Sequence, residues 1–198
     1  MFDYENEYKK LGLVAGIDEA GRGPLAGPVC CACVIMPLEK KDLIDGVDDS
    51  KKLSPKKREE LFEKIIEKAI SFKIILVDEK TIDKINILNA TKLGMKRALE
   101  GLSVTPQTVL IDAVKIDTNI SQVNIIRGDS LSYNIASASI LAKVFRDRFM
   151  GEMAKKFPEY HFEKHKGYGT KEHIELLKKF GKCDIHRDSF IKHFVKTN

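Results

Sequence analysis

The sequence predicts an α/β fold in which a central sheet is followed by a helical C-terminal part. Short apolar runs typical of strands alternate with longer stretches whose apolar residues recur every three or four positions, as on a helix. The 198 residues are 43% hydrophobic and 32% charged, a composition typical of a globular domain with a sizeable core.

Five apolar runs predict the strands of this sheet. They occupy residues 11–17, 29–36, 72–77, 108–112 and 122–127. The second run, VCCACVIM, is almost wholly apolar, so we expect an interior strand. Cys31 and Cys33 would then share one face of the strand, and Cys30 would lie on the other.

Four stretches predict helices. Ser54 is a favourable N-cap and Pro55 a favourable first residue for the first helix. Its apolar residues recur at helical spacing, namely Leu61, Phe62, Ile65, Ile66, Ala69 and Ile70. The second helix covers residues 86–102, and we expect it to be partly buried by Leu88, Leu93, Met95 and Leu99. The third covers residues 133–157 and stops at Pro158, and the fourth runs from a Thr170 cap to Gly181.

The net charge is concentrated at the C-terminal end of the chain. Residues 1–140 carry a formal charge of −1, whereas residues 141–198 carry 14 basic and eight acidic residues and all five histidines. This asymmetry indicates either a polyanionic partner or a solvated basic helix surface, and charge alone does not separate the two.

Several function classes are disfavoured by composition. The first ten residues lack the apolar region of a secretory signal, and no run approaches 18 apolar residues, so we expect no membrane span. A cysteine metal cluster needs a second ligand group, which Cys183 alone does not supply. We therefore expect buried thiols in a reducing compartment and a cytoplasmic protein.

Three acidic residues stand directly after apolar runs. Asp18 follows VAGI, Asp112 follows TVLI, and Asp129 follows VNIIRG. Open α/β sheets place their sites at the carboxyl ends of their strands, so these acids are predicted to meet there. A helix cap or a surface acid is an alternative for any one of them, and the repeated placement favours a shared site.

The acids predict a site for hard cations. Together with Glu19, which follows Asp18, they cannot all stay ionised in a small volume without cations. Oxygen-only ligands suit Mg²⁺, and two ions would stabilise the attacking and leaving oxygens of phosphodiester hydrolysis. Because neighbours in a strand point to opposite faces, we expect the strand to break at Ala20-Gly21 so that Asp18 and Glu19 serve one site.

The chain resembles the ribonuclease HII family, the bacterial type-2 ribonucleases H. Seven blocks carry the resemblance in the family's order over nearly the whole chain: GIDEAGRGPLAGPV, DDSKKLS, INILNATKLGMKRAL, VLIDA, RGDSLSYNIASASILAKVFRD, HKGYGT and HRDSF. An Asp-Glu pair alone would be weak support, but seven ordered blocks are very specific.

The resemblance implies a ribonuclease-H-like fold, a five-stranded mixed sheet flanked by helices with a C-terminal helical segment. It implies one catalytic domain over residues 1–198, with the core at about 1–157 and the substrate-binding segment at about 158–198. The implied enzyme is a monomer that cleaves the RNA strand of RNA–DNA hybrids and nicks DNA at embedded ribonucleotides. It uses two Mg²⁺ or Mn²⁺ ions and leaves 3′-hydroxyl and 5′-phosphate ends.

The resemblance also assigns site residues. The family's four catalytic and metal-binding carboxylates fall on Asp18, Glu19, Asp112 and Asp129. Its segment that recognises the ribose 2′-hydroxyl falls on Gly21, Arg22 and Gly23, where glycines let the backbone approach a sugar closely. Tyr168 matches the tyrosine that stacks on the deoxyribose past the ribonucleotide, although an aromatic between two glycines is otherwise more often a loop-packing residue.

Further basic and polar residues are candidate substrate contacts. Ser50, Lys51 and Lys52 lie in the DSKK loop and are plausible phosphate contacts. Lys143 and Arg146 are three residues apart on one helix and could support the acids or the backbone, or be part of a solvated face. In the basic C-terminal region we expect contacts from Lys164 and Lys166.

The histidines are not needed as general bases if a metal ion activates the water. We therefore expect His165 and His186 to be structural or peripheral. Asp188 stands where family members often carry a basic or apolar residue, which would weaken nucleic-acid binding locally.

Two alternatives remain at this point. One is a ribonuclease HIII-like hybrid nuclease, which is less similar because that family carries an extra N-terminal domain and no arginine between the two glycines. The other is a non-catalytic nucleic-acid-binding module, which would need the basic C-terminus but not four placed carboxylates.

Overall fold

A computed structural model describes residues 1–112 and 114–195. Its sheet has five strands, β1 (Val14–Ala20), β2 (Val29–Ile35), β3 (Ser71–Val77), β4 (Thr108–Asp112) and β5 (Ser121–Ile125). Their spatial order is β3-β2-β1-β4-β5. All five predicted strands are confirmed within a few residues, and β2 is buried between two neighbours as expected.

The sheet is mixed, and its strand directions decide where a site can form. β1 pairs antiparallel with β2, which pairs antiparallel with β3. On the other side β1 pairs in parallel with β4, and β4 pairs in parallel with β5. The carboxyl ends of β1, β4 and β5 therefore lie at one edge of the sheet, next to the start of β2.

Helices surround this sheet and form the C-terminal part. In chain order they are α1 (Asp3–Tyr8), α2 (Pro55–Lys68), α3 (Glu79–Ile85), α4 (Ile87–Glu100), α5 (Gly128–Leu131), α6 (Tyr133–Lys156), α7 (Phe162–His165), α8 (Lys171–Phe180) and α9 (Asp188–Ile191). Short 3₁₀ turns lie at Lys9–Leu11, Lys40–Asp42 and Pro158–Tyr160. No helix in the described part of the chain is long and apolar enough to cross a membrane.

The two faces of the sheet are covered by different helices. α4 packs on one face, where Cys31 and Cys33 contribute to a core with Met95. On the other face α2 and α6 pack over Cys30. The predicted alternation of the cysteines is thus confirmed. Gly16 is required in β1 because a Cβ there would collide with the backbone of α6, which crosses the strand closely.

The C-terminal part has its own apolar cluster. Tyr160 and Phe162 stack with ring centroids 5.3 Å apart and pack with Met150 of α6 and with Ala26. Ala26 lies in the loop between β1 and β2 and forms an isolated β-bridge with His186. The loop that follows the first acids is therefore attached to the C-terminal part rather than to the sheet alone.

Some details of the helices differ from the sequence-based expectations. Ser54 caps α2 through Lys57 N–H as predicted, but Ile70 lies beyond the helix and is exposed, because the chain turns there into β3. Leu88 is also exposed, and Leu93 is only partly buried. The short helices α1, α3, α5, α7 and α9 were not predicted, since four to seven residues give too little periodicity to detect.

Candidate active site

A cavity of about 270 Å³ opens at the edge of the sheet where β1 and β4 end. It is lined by three carboxylates, a glycine-containing loop and several basic or polar residues: Asp18, Glu19, Ala20, Gly21, Arg22, Gly23, Ser50, Lys51, Asp112, Ser139, Lys143 and Tyr168. We call it the acidic cavity. Ten of these twelve residues are among the candidates chosen from the sequence, the exceptions being Ala20 and Ser139.

Asp18 and Glu19 reach the acidic cavity at the end of β1, and the strand stops at Ala20-Gly21 as predicted. β1 continues through both residues to Ala20, and Glu19 is paired with Cys31 of β2. The Asp18 carboxylate accepts the Glu19 backbone N–H at 2.8 Å, so it turns along the strand toward the strand's end. The pair serves one site because the strand ends beside the cavity.

Burial and crowding disturb the ionisation of this pair. Asp18 is only 7% exposed, and burial together with the charges of Glu19, Asp112 and Asp129 raises its pKa well above the ordinary value. Burial also raises the pKa of Glu19, although Arg22 opposes that shift. A bound cation would lower both pKa values, since it would favour the ionised forms.

Asp112 and Asp129 come from the two parallel strands beside β1. Asp112 is the last residue of β4, where burial raises its pKa although the backbone N–H of Gly128 stabilises the carboxylate. Asp129 lies in α5, four residues beyond β5, and is buried. The parallel register of β1, β4 and β5 therefore delivers these acids to one edge of the sheet, as predicted.

Two flexible cations lie against the carboxylates. Lys51 Nζ is 3.1 Å from Asp129 Oδ2, although the Lys51 side chain is 80% exposed. Arg22 Nη1 is 3.4 Å from Glu19 Oε1, and the Arg22 side chain is 43% exposed. Both cations line the acidic cavity, so each can contact a carboxylate or a phosphate that enters it.

The donor set of the acidic cavity fits a hard divalent ion. Glu19 Oε2 is buried and has no hydrogen-bond partner among the described residues, so an oxygen ligand is available. Carboxylate oxygens are the ligands that Mg²⁺ and Mn²⁺ prefer. Within residues 1–112 and 114–195, no three acidic, histidine or cysteine side chains are already arranged as a complete metal site. Movement of Arg22 and Lys51 would open the carboxylates to such an ion.

The loop after β1 has a backbone that requires glycine. Gly21 has φ +92°, and a Cβ there would collide with the Arg146 side chain. At Gly23 the nearest atom to an added Cβ would be a Tyr168 ring carbon at 4.0 Å, so this loop and the tyrosine face each other. The loop forms part of the wall of the cavity.

Tyr168 stands between the acidic cavity and a second, larger one. It is 41% exposed, and with Lys143 it lines both spaces. The second cavity measures about 600 Å³ and we call it the basic groove, since its lining includes Arg58, Lys143, Arg148, Lys164 and Lys166. Acidic residues also line it, and Lys164 pairs with Glu172 at 3.1 Å.

Three predicted substrate contacts are placed differently. Arg146 is buried and donates to the carbonyls of Pro28, Ala26 and Lys166, so its guanidinium does not face a substrate. Ser50 lines the acidic cavity, but its hydroxyl accepts from Ser139 at 2.6 Å. Lys52 pairs with Asp48 and does not line the acidic cavity. These partners are distant in sequence or lie in loops, where spacing carries little information.

A buried network of imidazoles lies behind Tyr168, and sequence reasoning did not anticipate it. Cys183 N–H donates to His186 Nδ1, so His186 Nε2 carries the proton and donates to His173 Nε2 at 3.1 Å. His173 Nδ1 then donates to the Tyr168 carbonyl at 2.9 Å. In the same way Gly167 N–H donates to His165, which donates to the Tyr160 carbonyl.

The hydrogen bonds of this network account for the burial of His165, His173 and His186. Each ring is neutral, and each ring nitrogen has a partner. Burial lowers the pKa values of His173 and His186 to about 4. None of these three rings lines the acidic cavity, which agrees with the expectation that His165 and His186 are structural or peripheral.

Fold and site together define an enzyme of the nuclease class, in which acids at the edge of a mixed sheet adjoin a basic groove. A family model described as Ribonuclease HII matches residues 15–193. Ribonuclease HII of Caldicellulosiruptor bescii is 58% identical over 197 residues, which cover 98% of this chain and 95% of the relative. The chain belongs to the ribonuclease HII family. It is therefore a ribonuclease H, an endonuclease that acts on RNA–DNA hybrids.

Solved structures of other proteins share the fold of this chain. Ribonuclease H2 from Pyrococcus horikoshii OT3 superposes with a TM-score of 0.77 at 28% identity, covering 89% of this chain and 93% of that one. Bst-RNase HIII, solved in complex with Mn²⁺, has a TM-score of 0.57 at 17% identity, covering 83% of this chain and 69% of that one. The second likeness extends to the fold alone.

Proposed function

We propose that this protein hydrolyses the RNA strand of RNA–DNA hybrids and nicks duplex DNA on the 5′ side of embedded ribonucleotides. The observation that carries the proposal is the direct contact between the acidic cavity and two features suited to a ribonucleotide, the 21–23 loop and Tyr168. A ribose 2′-hydroxyl both donates and accepts hydrogen bonds, which backbone groups of such a loop can match.

Asp18, Glu19, Asp112 and Asp129 would hold two Mg²⁺ or Mn²⁺ ions. When bound, the ions supply a nucleophilic water at neutral pH and stabilise the charge that develops on the phosphate. The carboxylates contribute the negative charge that retains the ions, and two of them, Asp18 and Asp129, are buried. Lys51 and Arg22 balance the charge of the site and can contact the phosphates that flank the cut.

The bond changes follow from a hydrolysis on the 5′ side of the ribonucleotide. The water oxygen forms a bond to phosphorus, and the bond from phosphorus to the 3′-oxygen of the preceding nucleotide breaks. The leaving oxygen takes a proton, so the products are a 3′-hydroxyl and a 5′-phosphate. No histidine lies in the lining of the acidic cavity as described, so the proposed scheme assigns no imidazole base.

The remaining parts of the chain support binding rather than chemistry. The basic groove would hold the duplex backbone, with Tyr168 stacking on the sugar past the ribonucleotide. We assign residues 1–157 to the catalytic core and residues 158–198 to substrate binding within one domain. We further propose that the protein is a monomer. We also propose a cytoplasmic location, because its four cysteines are free thiols suited to a reducing compartment.

The test is cleavage of duplex DNA that carries one ribonucleotide, with the cut position mapped on a sequencing gel. We expect a single cut on the 5′ side of the ribonucleotide in Mg²⁺ or Mn²⁺, none in EDTA, and none in the matched all-DNA duplex. Binding of the duplex without any cleavage in either metal would instead support the non-catalytic binding module.

A further inference from the structure

Arg187 is a buried arginine that the proposed mechanism does not yet use. It is 0% exposed and lies just before α9, in the HRDSF block. Its guanidinium donates to three backbone carbonyls of the loop after β1: Gly27 at 2.8 Å, Arg22 at 2.9 Å and Gly21 at 2.6 Å. One side chain thus holds both ends of this loop from more than 150 residues away in sequence.

The contacts to Gly21 and Arg22 determine how two peptide units are oriented. In a trans peptide the C=O of one residue and the N–H of the next point in opposite directions. Since the carbonyls of Gly21 and Arg22 point to Arg187, the N–H groups of Arg22 and Gly23 point away from it. The loop lines the acidic cavity and Arg187 does not, so the side of these peptides that faces away from Arg187 is the side available to the cavity.

The loop is attached to the C-terminal part even without this side chain. Leu25 N–H donates to Gly167 O, Gly27 N–H donates to Ile185 O, and Arg187 N–H donates to Leu25 O, each at 2.8 Å. These backbone bonds do not depend on the guanidinium. The side chain therefore contributes something besides attachment, namely the orientation of the peptides at 21–23.

Burying a guanidinium among carbonyls is unfavourable for stability. Burial, together with the nearby Arg146 charge, lowers the pKa of Arg187 to about 9. The three hydrogen bonds offset part of the desolvation cost, whereas an apolar side chain would leave the carbonyls of Gly21, Arg22 and Gly27 without this donor and free to turn. A role in orienting the loop accounts for an arginine at this position.

We propose that Arg187 is a positioning residue for recognition of the ribose. By holding the carbonyls of Gly21 and Arg22, it turns the N–H groups of Arg22 and Gly23 into the acidic cavity, where they donate to the 2′-oxygen of the reacting ribonucleotide. This inference rests on the proposed function. Arg146 acts from the other side, since it joins Ala26 and Pro28 to the Lys166 carbonyl, two residues before Tyr168.

The test compares two duplexes that differ in one substituent, at the 2′ position of one nucleotide. One carries a single ribonucleotide, and the other carries a 2′-fluoro nucleotide at the same position, whose fluorine is a poor hydrogen-bond acceptor. We define the preference as the cleavage rate of the ribonucleotide duplex divided by that of the 2′-fluoro duplex, and in the wild type we expect this ratio to be large. Arg187→Lys should lower kcat on the ribonucleotide about 10- to 100-fold and narrow the preference by a similar factor, because the peptides are no longer held.

Tyr160→Phe is the matched control. It removes one hydrogen bond, from the Tyr160 hydroxyl to Gly181 O at 2.7 Å, in the same part of the molecule, and it keeps the ring that packs with Ala26 of the loop. We expect it to lower the melting temperature while leaving the preference at the wild-type value. A purely structural loss reduces cleavage of both duplexes in proportion, so the preference separates positioning from folding.

A second variant tests the N–H groups directly, should Arg187→Lys fail to fold. Gly23→Pro removes one of the two donors, whereas Gly23→Ala keeps it and has space for its methyl group. We expect the preference to narrow more in the proline variant than in the alanine variant.

The outcomes separate the two proposals. Suppose that the wild type cleaves the ribonucleotide duplex and that Arg187→Lys keeps the wild-type preference. The role of Arg187 is then refuted and the proposed function stands. Gly23→Pro takes the place of Arg187→Lys in this comparison if the lysine variant does not fold. If the wild type does not cleave that duplex in either metal, the proposed function is refuted, and this inference with it.

Discussion

At the scale of single residues, the site combines crowded acids with two exposed cations. Asp18 is buried in the acidic cavity, and the charges of the other three carboxylates raise its pKa further. Arg22 and Lys51 each reach one acid from an exposed position. Removing a charge from the centre of this arrangement should therefore affect chemistry and stability in opposite directions.

We expect Asp18→Asn to abolish cleavage while binding of a hybrid survives. The side chain keeps its size, but the site loses its central anionic ligand. In the absence of metal the melting temperature should stay the same or rise, because one charge leaves a crowded cluster. Cleavage assays with Mg²⁺, hybrid binding in EDTA and thermal melts measure the three effects. More than a tenth of wild-type activity would contradict the role of Asp18.

We expect Tyr168→Ala to impair cleavage at a single ribonucleotide. Loss of stacking by one exposed aromatic ring is worth about 1–3 kcal/mol, which corresponds to about a 10- to 100-fold lower rate. Metal binding should persist, because the ring is not a ligand. Phe180, which is exposed but lies in neither cavity, provides the matched control as Phe180→Ala. A wild-type rate for Tyr168→Ala would leave Tyr168 as a loop-packing residue.

At the scale of elements, the position of the site depends on where β1, β4 and β5 end and on the β1–β2 loop beside those ends. Parallel pairing places the carboxyl ends of β1, β4 and β5 together, and the β1–β2 loop joins them to the C-terminal part. The segment around α7 and α8 contributes Lys164, Lys166 and Tyr168 to the basic groove. This segment should therefore carry much of the salt-sensitive binding.

We expect duplex affinity to fall steeply between 50 and 200 mM salt, linearly on a log–log plot. The double variant Lys164→Gln/Lys166→Gln should reduce the slope by about 1 to 2, because each phosphate contact contributes about 0.9. Lys178→Gln/Lys179→Gln is the matched control, since it removes two α8 charges that lie outside the groove. Equal slopes for the two double variants would place Lys164 and Lys166 on a solvated surface.

At the scale of the whole molecule, the C-terminal part is held by neutral, buried imidazoles. His186 and His173 link the Cys183 N–H to the Tyr168 carbonyl, and both have pKa values lowered to about 4 by burial. An unfolded histidine has a pKa near 6.5. Between these values the unfolded chain binds protons that the folded chain does not, so stability falls as the pH falls.

We expect the free energy of unfolding to decrease between about pH 6.5 and pH 4. Each pH unit costs about 1.4 kcal/mol for every imidazole that stays neutral in the folded state. Urea denaturation across this range measures the slope. His186→Asn should lower stability at pH 7.5 and flatten the slope, whereas His161→Gln, which changes an exposed ring, should keep it. A wild-type slope in His186→Asn would contradict this account.

The sequence by itself determined where the strands and long helices lie along the chain, and it located the four acids at or near strand ends. Those features are local, since apolar periodicity, a Ser54 cap or an acid after an apolar run can be recognised within a few residues. The extent of β1 through Glu19 was not predictable, because strand pairing with β2 decides it. Family blocks in the sequence added the glycine loop and Tyr168.

Only the tertiary structure decided what the buried polar side chains do. Arg146 and Arg187 look like any surface arginine in the sequence, yet each binds carbonyls more than 100 residues away, apart from Arg146's bond to Lys166. The same holds for His173 and His186, whose ring protons are set by partners brought together in folding. A buried polar group must find its hydrogen-bond partners wherever the fold supplies them, and sequence spacing does not record those partners.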